Sequence, residues 1–376
     1  MPQNAGLDAG AVGQLDHDIL TFIESADCDN PDEPTFDELA LRVFAFQFSS
    51  CDPYRRFCER RGVTGPVDVT SWREIPALPS QAYKDGVVAC FPEDEAVGRY
   101  RTSGTSSSTP GTVLRDAGTE RLIAAAQLRA HRHWLLPDVE RITMLLAVPT
   151  PAMRPRATIA ACMARFVEHH GTGRSRYVID ETGMDFKGLA AVLHAAEASG
   201  DPVAVYATSY TFVHFFDWCA ERGEGFTLPP GSRINHGSGY KGRSRAVAPE
   251  EFHETSARTL GIEPSHDVNV LGITETGARF FDNVLRHPGE PRHKPQQPWA
   301  RVRIVDPLTL EDQPPGTPGQ MVHVDLTLRG NVLALQTDDL GVARGGGFEI
   351  LGRLDGAEAR GCNLTMEEYL AARGPA

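Results

Sequence analysis

The residues best suited to chemistry form a run of small polar side chains at 102–111, which reads TSGTSSSTPG. Such a run presents many backbone N–H groups and hydroxyls with little side-chain bulk, which is what a polyphosphate needs around it. Runs of this composition are more often flexible linkers, so the phosphate-binding interpretation depends on the motifs that follow. The candidate phosphate ligands are Thr102, Ser103, Gly104, Thr105 and Ser106.

A second motif, GITETG at 272–277, follows an apolar stretch that predicts a strand at 267–271. Ligands bind at the carboxyl ends of the strands in a parallel sheet, so Thr274 and Glu275 are placed to meet one. A Thr hydroxyl can donate to a phosphate oxygen, and a carboxylate can hold Mg²⁺, which prefers oxygen ligands. The alternative is an ordinary polar exit from a strand.

Two consecutive carboxylates, Asp338 and Asp339, follow a strand predicted at 332–336. A carboxylate at a strand end can accept hydrogen bonds from both hydroxyls of a ribose, and Asp339 is the candidate. Arg353, in the GRLD motif at 352–355, could bind the same ribose or a phosphate through its planar guanidinium. Turn-forming aspartates and a solvated arginine are the alternatives.

A second glycine-rich segment, HGSGYKG at 236–242, also follows a predicted strand. Its glycines would let the backbone pass close to a flat ring, which makes His236, Gly237 and Gly239 candidate ligands of adenine. Lys241 is a candidate for neutralising the charge where a carboxylate meets a phosphate. An exposed loop lysine that is merely solvated is the alternative.

Cys362 lies just before a predicted helix start, because Thr365 and Glu368 have the spacing of a capping box, and Arg360 is two residues away. A helix N-terminus and a nearby guanidinium both favour the thiolate form of a cysteine. Cys362 is therefore a candidate nucleophile, with an incidental cysteine as the alternative. The remaining cysteines lie in apolar or helical settings and are expected to be core residues.

The elements that would position these residues alternate from residue 119 onwards. Helices are predicted at 119–134, 157–169, 186–199, 210–222 and 249–260, and each precedes a strand, at 142–148, 176–179, 203–206, 233–235 and 267–271. This order predicts an α/β fold with a doubly wound, mostly parallel sheet. After residue 299 the pattern changes to strands at 300–305, 320–326 and 332–336, which predicts a small antiparallel sheet or barrel.

These patterns give an expected division of the chain. An acidic, loosely ordered leader is expected at 1–34 and an α/β core at 35–299, which begins with a helix over 36–60. A β-rich subdomain at 300–352 and a short C-terminal segment at 353–376, which carries Cys362, complete it.

Composition excludes several function classes. The 376 residues carry a formal net charge of −13, which argues against a nucleic-acid surface and against docking to anionic membranes. No signal peptide and no run of 18 apolar residues is evident, so we expect a cytoplasmic location and no membrane span. The seven cysteines are scattered, which argues against a disulfide framework or a cysteine zinc site. The pairs His131/His133 and His169/His170 are expected on helix surfaces.

In order and spacing, the motifs at 102–105, 272–277, 336–341 and 352–355 resemble those of the acyl- and aryl-adenylate-forming (ANL) superfamily. More narrowly, the chain resembles the acyl-protein synthetases of bacterial bioluminescence, the luciferin-component ligases. The narrower likeness is carried by residues 75–79, Lys84, 102–105, 239–242, 272–275 and 356–362. The resemblance implies the large N-terminal domain of the superfamily, with mostly parallel sheets and a small β-rich subdomain.

The resemblance also implies a two-step reaction that uses ATP and Mg²⁺. A carboxylic acid attacks the α-phosphate of ATP to give an acyl-adenylate and pyrophosphate, and a thiol then accepts the acyl group. The roles implied are β/γ-phosphate binding for 102–105, α-phosphate binding for Thr274, Mg²⁺ binding for Glu275, and ribose binding for Asp339 and Arg353. In the acyl-protein synthetases the thiol corresponds to Cys362, from which the acyl group passes to a partner reductase.

An acyl pocket is expected near 206–216, where Tyr206, Tyr210 and Phe212 supply apolar surface. Ordinary packing of a helix against the core is the alternative for these aromatic residues.

The chain departs from the superfamily pattern at several points. The usual loop lysine is missing from 106–111, and Asp338 stands where the broad pattern has Gly. The chain ends soon after the GRLD motif, so the resemblance implies that the usual small C-terminal domain with its catalytic lysine is lacking. Lys241 or Lys84 would then supply the missing charge. A truncated acyl- or aryl-CoA ligase, an amide-forming ligase and a non-catalytic nucleotide-binding protein are the alternatives.

Overall fold

The alternation of helices and strands expected from residue 119 is present in a computed structural model of the chain. The structure describes residues 9–102, 110–180, 183–237 and 244–354, together with Met366 and Tyr369. The chain divides into two units. Unit 1 comprises Met1–Arg129, Ile273–Ala278 and His293–Ala376, and unit 2 comprises Ala130–Gly272 and Arg279–Arg292.

The helices are α1 Ala9–Ser25, α2 Glu33–Ser50, α3 Asp52–Arg60, α4 Ala82–Asp85, α5 Ala117–Trp134, α6 Thr158–His170, α7 Phe186–Ser199, α8 Ser209–Arg222 and α9 Pro249–Leu260. The strands up to residue 208 are β1 Leu78–Pro79, β2 Gly98–Arg101, β3 Thr112–Arg115, β4 Thr143–Ala147, β5 Arg176–Tyr177, β6 Ile179–Asp180, β7 Gly183–Met184 and β8 Val203–Thr208. The later strands are β9 Arg233–Gly237, β10 Asp267–Leu271, β11 Phe280–Phe281, β12 Lys294–Pro295, β13 Ala300–Val305, β14 Pro318–Asp325, β15 Ala334–Arg344 and β16 Gly347–Arg353.

Unit 2 is built on a sheet with the strand order β11-β10-β9-β8-β4-β5. Neighbouring strands from β10 to β5 pair in parallel, and β11 is antiparallel to β10. Helix α6 connects β4 to β5, α8 connects β8 to β9, and α9 connects β9 to β10. The prediction of a mostly parallel sheet with helical crossovers is therefore confirmed.

Two helices of unit 2 begin and end where the sequence predicted, because both carry clear terminal residues. Asp185 caps α7 by accepting a hydrogen bond from the Gly188 N–H, at 2.7 Å. Gly200 ends α7 and Gly261 ends α9 at φ of +72° and +66°, a backbone region that favours glycine. Both helices pack onto a core whose large members include Leu145, Leu193, Val205, Phe215 and Ile234.

Unit 1 contains the antiparallel sheet expected after residue 299, in the order β12-β16-β15-β14-β13, and β1 pairs in parallel with β15. Strand β15 is longer than predicted, so Asp338 and Asp339 lie within it rather than beyond its end. Strand β16 was not predicted, because glycines are more typical of loops than of strands. Gly345 and Gly346, both with positive φ, form the two-residue turn between β15 and β16.

The N-terminal segment was predicted to be loosely ordered, but residues 9–25 form α1. Its Leu15, Ile19 and Phe22 are buried at helical spacing. Asp16 accepts hydrogen bonds from Arg329 Nε at 2.6 Å and Nη2 at 2.9 Å, and both side chains are buried. The helix was not predicted because the many acidic and polar residues of this segment outweighed its few apolar residues at helical spacing.

The helix predicted over 36–60 is two helices, α2 and α3, which meet at Cys51. Pro53 lies in the first turn of α3 and cannot continue a preceding helix, since it has no N–H to donate. Within the described part of the chain, no helix has the length and apolar character needed to cross a membrane.

Candidate active site

Arg115 holds the loop that follows β10, whose residues Ile273–Ala278 belong to unit 1. Arg115 Nη2 donates to the Thr274 carbonyl at 2.9 Å and to the Thr276 carbonyl at 3.3 Å. The guanidinium is buried and lies 4.7 Å from the centre of the Tyr100 ring, a cation–π distance. A buried cation thus fixes the backbone around the predicted α-phosphate ligand.

Asp325 at the end of β14 holds the other end of the same loop. Its Oδ2 accepts hydrogen bonds from the Gly277 N–H at 2.9 Å and the Ala278 N–H at 2.8 Å. Thr327 donates to Oδ1 through its N–H and its hydroxyl. Burial raises the pKa of Asp325, and these hydrogen bonds oppose that shift. Because hydrogen bonds hold the loop at both ends, the backbone position of Glu275 is fixed.

Glu275 lies in the electrostatic field of charged side chains from other parts of unit 1. Loss of solvent raises the pKa of this carboxyl, and the negative charge of Asp339 raises it further. Lys84 and Arg353 act in the opposite direction. Glu275 thus shares one region of unit 1 with Asp339, Arg353 and Lys84, one of the two lysines proposed from the sequence, and the binding roles of these residues stay predictions.

Strands β15 and β16 place Asp338, Asp339 and Arg353 side by side. Asp339 pairs with Arg353 in the strand register, and the Arg353 Nη2 donates to Asp338 Oδ2 at 3.1 Å. The Gln81 amide donates to both carboxylate oxygens of Asp338, at 3.0 and 3.1 Å. Asp338, which stands where the superfamily pattern has Gly, therefore holds the arginine that we predicted for the ribose.

Thr102 is the first residue of the Ser/Thr/Gly run, and Gly111 is its last. Its hydroxyl accepts a hydrogen bond from the Gly111 N–H at 2.9 Å, and its N–H donates to the Gly111 carbonyl at 3.0 Å. A Cβ on Gly111 would lie 2.7 Å from the Tyr83 carbonyl oxygen, so only glycine fits there. The two ends of the run are thus joined next to α4, which carries Lys84.

Several predicted site residues lie outside the described residues, and their assignments stay predictions. They are Ser103, Gly104, Thr105, Ser106, Gly239, Lys241 and Cys362.

His236 and Gly237 end strand β9 in unit 2, and their assignment to adenine also stays a prediction. The His236 ring is buried and stacks on Phe252, with ring centres 4.3 Å apart. A Cβ on Gly237 would lie 2.3 Å from the Val270 carbonyl oxygen, so the close approach of β9 and β10 requires glycine.

The aromatic residues predicted for an acyl pocket lie in unit 2. Tyr206 is buried, and its hydroxyl lies 2.8 Å from His131 Nε2. Phe212 is part of the hydrophobic core, in agreement with the packing alternative, and Tyr210 is half-buried. His131 was expected on a helix surface, but it is fully buried, with its Nδ1 2.8 Å from His170 Nδ1.

Sequence reasoning missed the residues that hold the site in place. Gln81, Arg115 and Asp325 act on it through backbone groups or through a second side chain, and such a role has no motif. The one available signal was the position of Arg115, at the end of the strand that follows the Ser/Thr/Gly run.

The chain is similar to known proteins over most of its length. Residues 11–371 match the family described as acyl-protein synthetase, LuxE. The chain is 25% identical to the long-chain-fatty-acid–luciferin-component ligase of Vibrio harveyi over 347 residues, which cover 89% of this chain and 88% of that protein.

Among solved structures, the fold is similar to that of 2-hydroxyisobutyryl-CoA ligase. Its postadenylation state gives a TM-score of 0.59 at 15% identity, covering 88% of this chain and 72% of that one. Its thioesterification state gives a TM-score of 0.56 at 17% identity, covering 94% and 70%. At these identities the similarity establishes the fold alone.

Proposed function

The chain belongs to the acyl-protein synthetase family and is an ATP-dependent ligase, and we propose that it activates a carboxylic acid as an acyl-adenylate and then passes the acyl group to a thiol. The observation that carries this proposal is the cluster in unit 1, where Glu275 on a fixed loop lies in the field of Asp339, Lys84 and Arg353. Activation of an acid by ATP requires carboxylates to hold a cation and cationic side chains to meet phosphate.

The first step needs charge neutralisation more than covalent help from the protein. One oxygen of the acid bonds to the α-phosphorus, and the bond from that phosphorus to the bridging oxygen breaks, so pyrophosphate leaves. Both reactants are anions and repel each other, so alignment and positive charge lower the barrier. In this proposal Thr274 and residues 102–106 bind the phosphates, and Asp339 with Arg353 binds the ribose.

Mg²⁺ fits the Glu275 cluster by the chemistry of its donors. Glu275 offers hard carboxylate oxygens, and the raised pKa of its carboxyl reflects burial and the nearby negative charge of Asp339. A divalent cation would compensate both effects. When bound, Mg²⁺ would supply positive charge to the phosphate oxygens, with Glu275 as its protein ligand.

Lys84 is the described lysine best placed to supply the charge that the phosphate run lacks. It lies on α4, next to the base of the run at Thr102 and Gly111, and its charge favours the ionised form of Glu275. We therefore favour Lys84 over Lys241 for contact with the phosphates.

The proposed acyl acceptor is Cys362, and the chemistry of three other thiols excludes them as competitors. Burial raises the pKa of Cys28 to about 11 and the pKa values of Cys58 and Cys219 to about 12. Thiols with such values are almost entirely protonated near neutral pH and are poor nucleophiles. These three cysteines are therefore unsuitable acceptors of an acyl group.

A long-chain fatty acid is the first acid to test, because the Vibrio harveyi relative is named for one. Its acyl chain would lie near Tyr206 and Tyr210, with Phe212 as part of the supporting core. A partner protein, such as a reductase, would take the acyl group from Cys362.

The experiment that tests the proposal is intact-protein mass spectrometry after incubation with ATP, Mg²⁺ and a panel of fatty and aryl acids. We expect a mass gain equal to one acyl group in the wild type. Cys362→Ser should lose the gain while still forming acyl-AMP, and Glu275→Gln should lose both. Glu263→Gln, which changes a carboxylate with 80% of its side chain exposed, is the matched control and should behave as the wild type.

Two other outcomes of this experiment would favour a different acyl acceptor or a different function. Acyl-AMP in solution without a mass gain would move the acceptor to CoA, an amine or a partner protein. ATP binding without acyl-AMP from any acid would favour a non-catalytic nucleotide-binding protein.

A further inference from the structure

We propose that His236, His253 and Asp267 form a binding site for a divalent transition-metal ion of the Zn²⁺ type. All three lie in unit 2, and one ligand atom from each falls within 4.8 Å of the others. Imidazole nitrogens combined with a carboxylate oxygen are ligands that Zn²⁺ and similar ions favour, whereas Mg²⁺ favours oxygen ligands. Its ligands do not include Glu275, the proposed ligand of Mg²⁺, and a metal bound at His236 would replace the role in adenine binding predicted for that residue.

The fold explains why these residues meet. In the parallel register of β9 and β10, Asp267 pairs with Ile234 and Asn269 pairs with His236, so Asp267 and His236 share one face of the sheet. Helix α9, which connects the two strands, supplies His253. Residues 236, 253 and 267 are thus far apart in sequence but converge within one strand–helix–strand unit.

Two buried atoms in the cluster face each other without an aligned hydrogen bond. His236 Nε2 and Asp267 Oδ1 lie 3.0 Å apart, with their side chains only 6% and 1% exposed. Neither atom forms an aligned hydrogen bond with any described residue. Buried polar atoms without partners are rare because they are costly. A cation that both lone pairs can reach would satisfy the two atoms together.

The other nitrogen of His236 is already occupied in the way typical of a metal ligand. Ser209 Oγ lies 3.0 Å from His236 Nδ1 and donates its single proton to the Gly237 carbonyl at 3.1 Å. The hydroxyl oxygen can therefore accept from Nδ1–H. The Asn269 amide nitrogen lies 3.3 Å from Nδ1 and cannot donate to a protonated Nδ1, so this tautomer requires the flipped orientation of that amide. This tautomer leaves the Nε2 lone pair for a metal.

His253 completes the ligand set and opens it to solvent. Its Nδ1 lies 2.9 Å from Asp267 Oδ2, and its side chain is 20% exposed, so an ion can enter from that side. Ser256 Oγ donates to the same oxygen at 2.6 Å and orients the carboxylate. Three protein ligands leave a further coordination position for water.

The bound ion would join the carboxyl end of β9 to α9. We therefore expect metal binding to raise the thermal midpoint of the protein, because the unfolded chain does not hold these ligands together.

The test is a spectrophotometric titration of the metal-free full-length protein with Co²⁺, in the absence of ATP and acid, followed by displacement with Zn²⁺. We expect about one tightly bound Co²⁺ per chain, with visible absorption typical of low-coordinate Co²⁺ bound by nitrogen, and displacement by Zn²⁺. The informative variant is His253→Asn. Its amide can still donate to Asp267 but is a poor metal ligand, so affinity should fall by more than about 100-fold.

Two further variants test whether Co²⁺ binds at the proposed ligands. Ser209→Ala should weaken Co²⁺ binding by about 10-fold, since it removes only the group that orients His236. His214→Asn, which changes an exposed histidine on α8, should bind Co²⁺ as the wild type does. Equal thermal midpoints of metal-free wild type and His253→Asn would show that the variant folds.

Absence of Co²⁺ uptake by the wild type, or equal affinity in a folded His253→Asn variant, would overturn the proposal. Either result would mean that His236 carries a proton on Nε2 and donates it to Asp267 Oδ1, so that no metal ion is needed. Because the titration contains no ATP or acid, its outcome does not test whether the chain forms an acyl-adenylate.

Discussion

At the scale of single residues, neighbouring side chains in β15 have different roles. Successive residues of a strand point to opposite faces, so Asp338 and Asp339 meet different surroundings. Asp338 binds Gln81 and Arg353, whereas the charge of Asp339 acts on Glu275. One carboxylate orients an arginine, and the other adds to the negative charge that a cation must balance.

Replacing Glu275 by Gln should lower activity without lowering stability. Burial and Asp339 raise the pKa of Glu275, so its ionised form is unfavourable in the folded protein at pH 7. A neutral side chain of the same shape should leave the thermal midpoint unchanged or higher. Acid-dependent pyrophosphate release should fall by about 100- to 1000-fold, because the cation ligand is lost. A marked fall in the thermal midpoint would contradict this explanation.

Replacing Asp338 by Asn should weaken ATP binding more than turnover. The variant removes the carboxylate that orients Arg353, while the half-exposed ion pair contributes little to stability. We expect the KM for ATP to rise by about 3- to 10-fold with kcat changed less than twofold. Asp201→Asn, which breaks the exposed pair with Arg174, is the control and should leave both constants unchanged. An unchanged KM in Asp338→Asn would mean that Arg353 does not contact the nucleotide.

At the scale of elements, the loop at 273–278 depends on residues from distant parts of unit 1. Arg115 lies at the end of β3 and Asp325 at the end of β14, and each holds backbone groups of the loop. The two residues belong to different sheets, and no sequence motif links either of them to the loop, so only the tertiary structure brings them to it. The position of Glu275 is thus set by the tertiary structure.

Replacing Asp325 by Ala should destabilise the protein by about 3 kcal/mol, because the buried N–H groups of Gly277 and Ala278 lose their acceptor. Activity should fall as well, since the loop that carries Glu275 is released. Denaturation in guanidinium chloride measures the change in the free energy of unfolding. Asp306→Ala, which removes an exposed acceptor of the Leu308 and Thr309 N–H groups, should cost only about 1 kcal/mol.

Unit 2 should lose stability as the pH falls below 6.5, because burial, full at His131 and partial at His170, lowers the pKa of these two histidines. Burial lowers the pKa of His170 to about 4 and holds that of His131 well below its usual range. The unfolded chain binds protons at these residues from about pH 6.5 downwards, whereas the folded chain binds one at His170 only near pH 4 and resists protonation of His131 as well. The stabilising contribution is therefore full above pH 6.5 and is lost on acidification towards pH 4.

His170→Gln should reduce this pH dependence. Between pH 7 and pH 5 the variant should lose about 1 kcal/mol less stability than the wild type, since His170 is only half-buried. Chemical denaturation at the two pH values checks the effect. His214→Gln removes an exposed histidine and should leave the dependence unchanged. An equal loss in His170→Gln and the wild type would show that other groups cause it.

At the scale of the whole molecule, the sequence predicted the type and order of most elements between residues 119 and 305. Local signals were sufficient there, as in α9, which starts at a proline and ends at Gly261. The helix α1 and the strand β16 were missed because acidic or glycine-rich composition outweighed their apolar patterns. The His236–His253–Asp267 cluster could not be predicted, since its members converge only when β9, α9 and β10 assemble.

The measurement that tests the central claim most directly is acid-dependent ATP–pyrophosphate exchange in the wild type and in Cys362→Ser. Exchange reports formation of the acyl-adenylate and does not require the thiol. We predict that a long-chain fatty acid supports exchange at similar rates in both proteins, while only the wild type becomes acylated. Absence of exchange with every acid in the panel would contradict the proposed adenylating function.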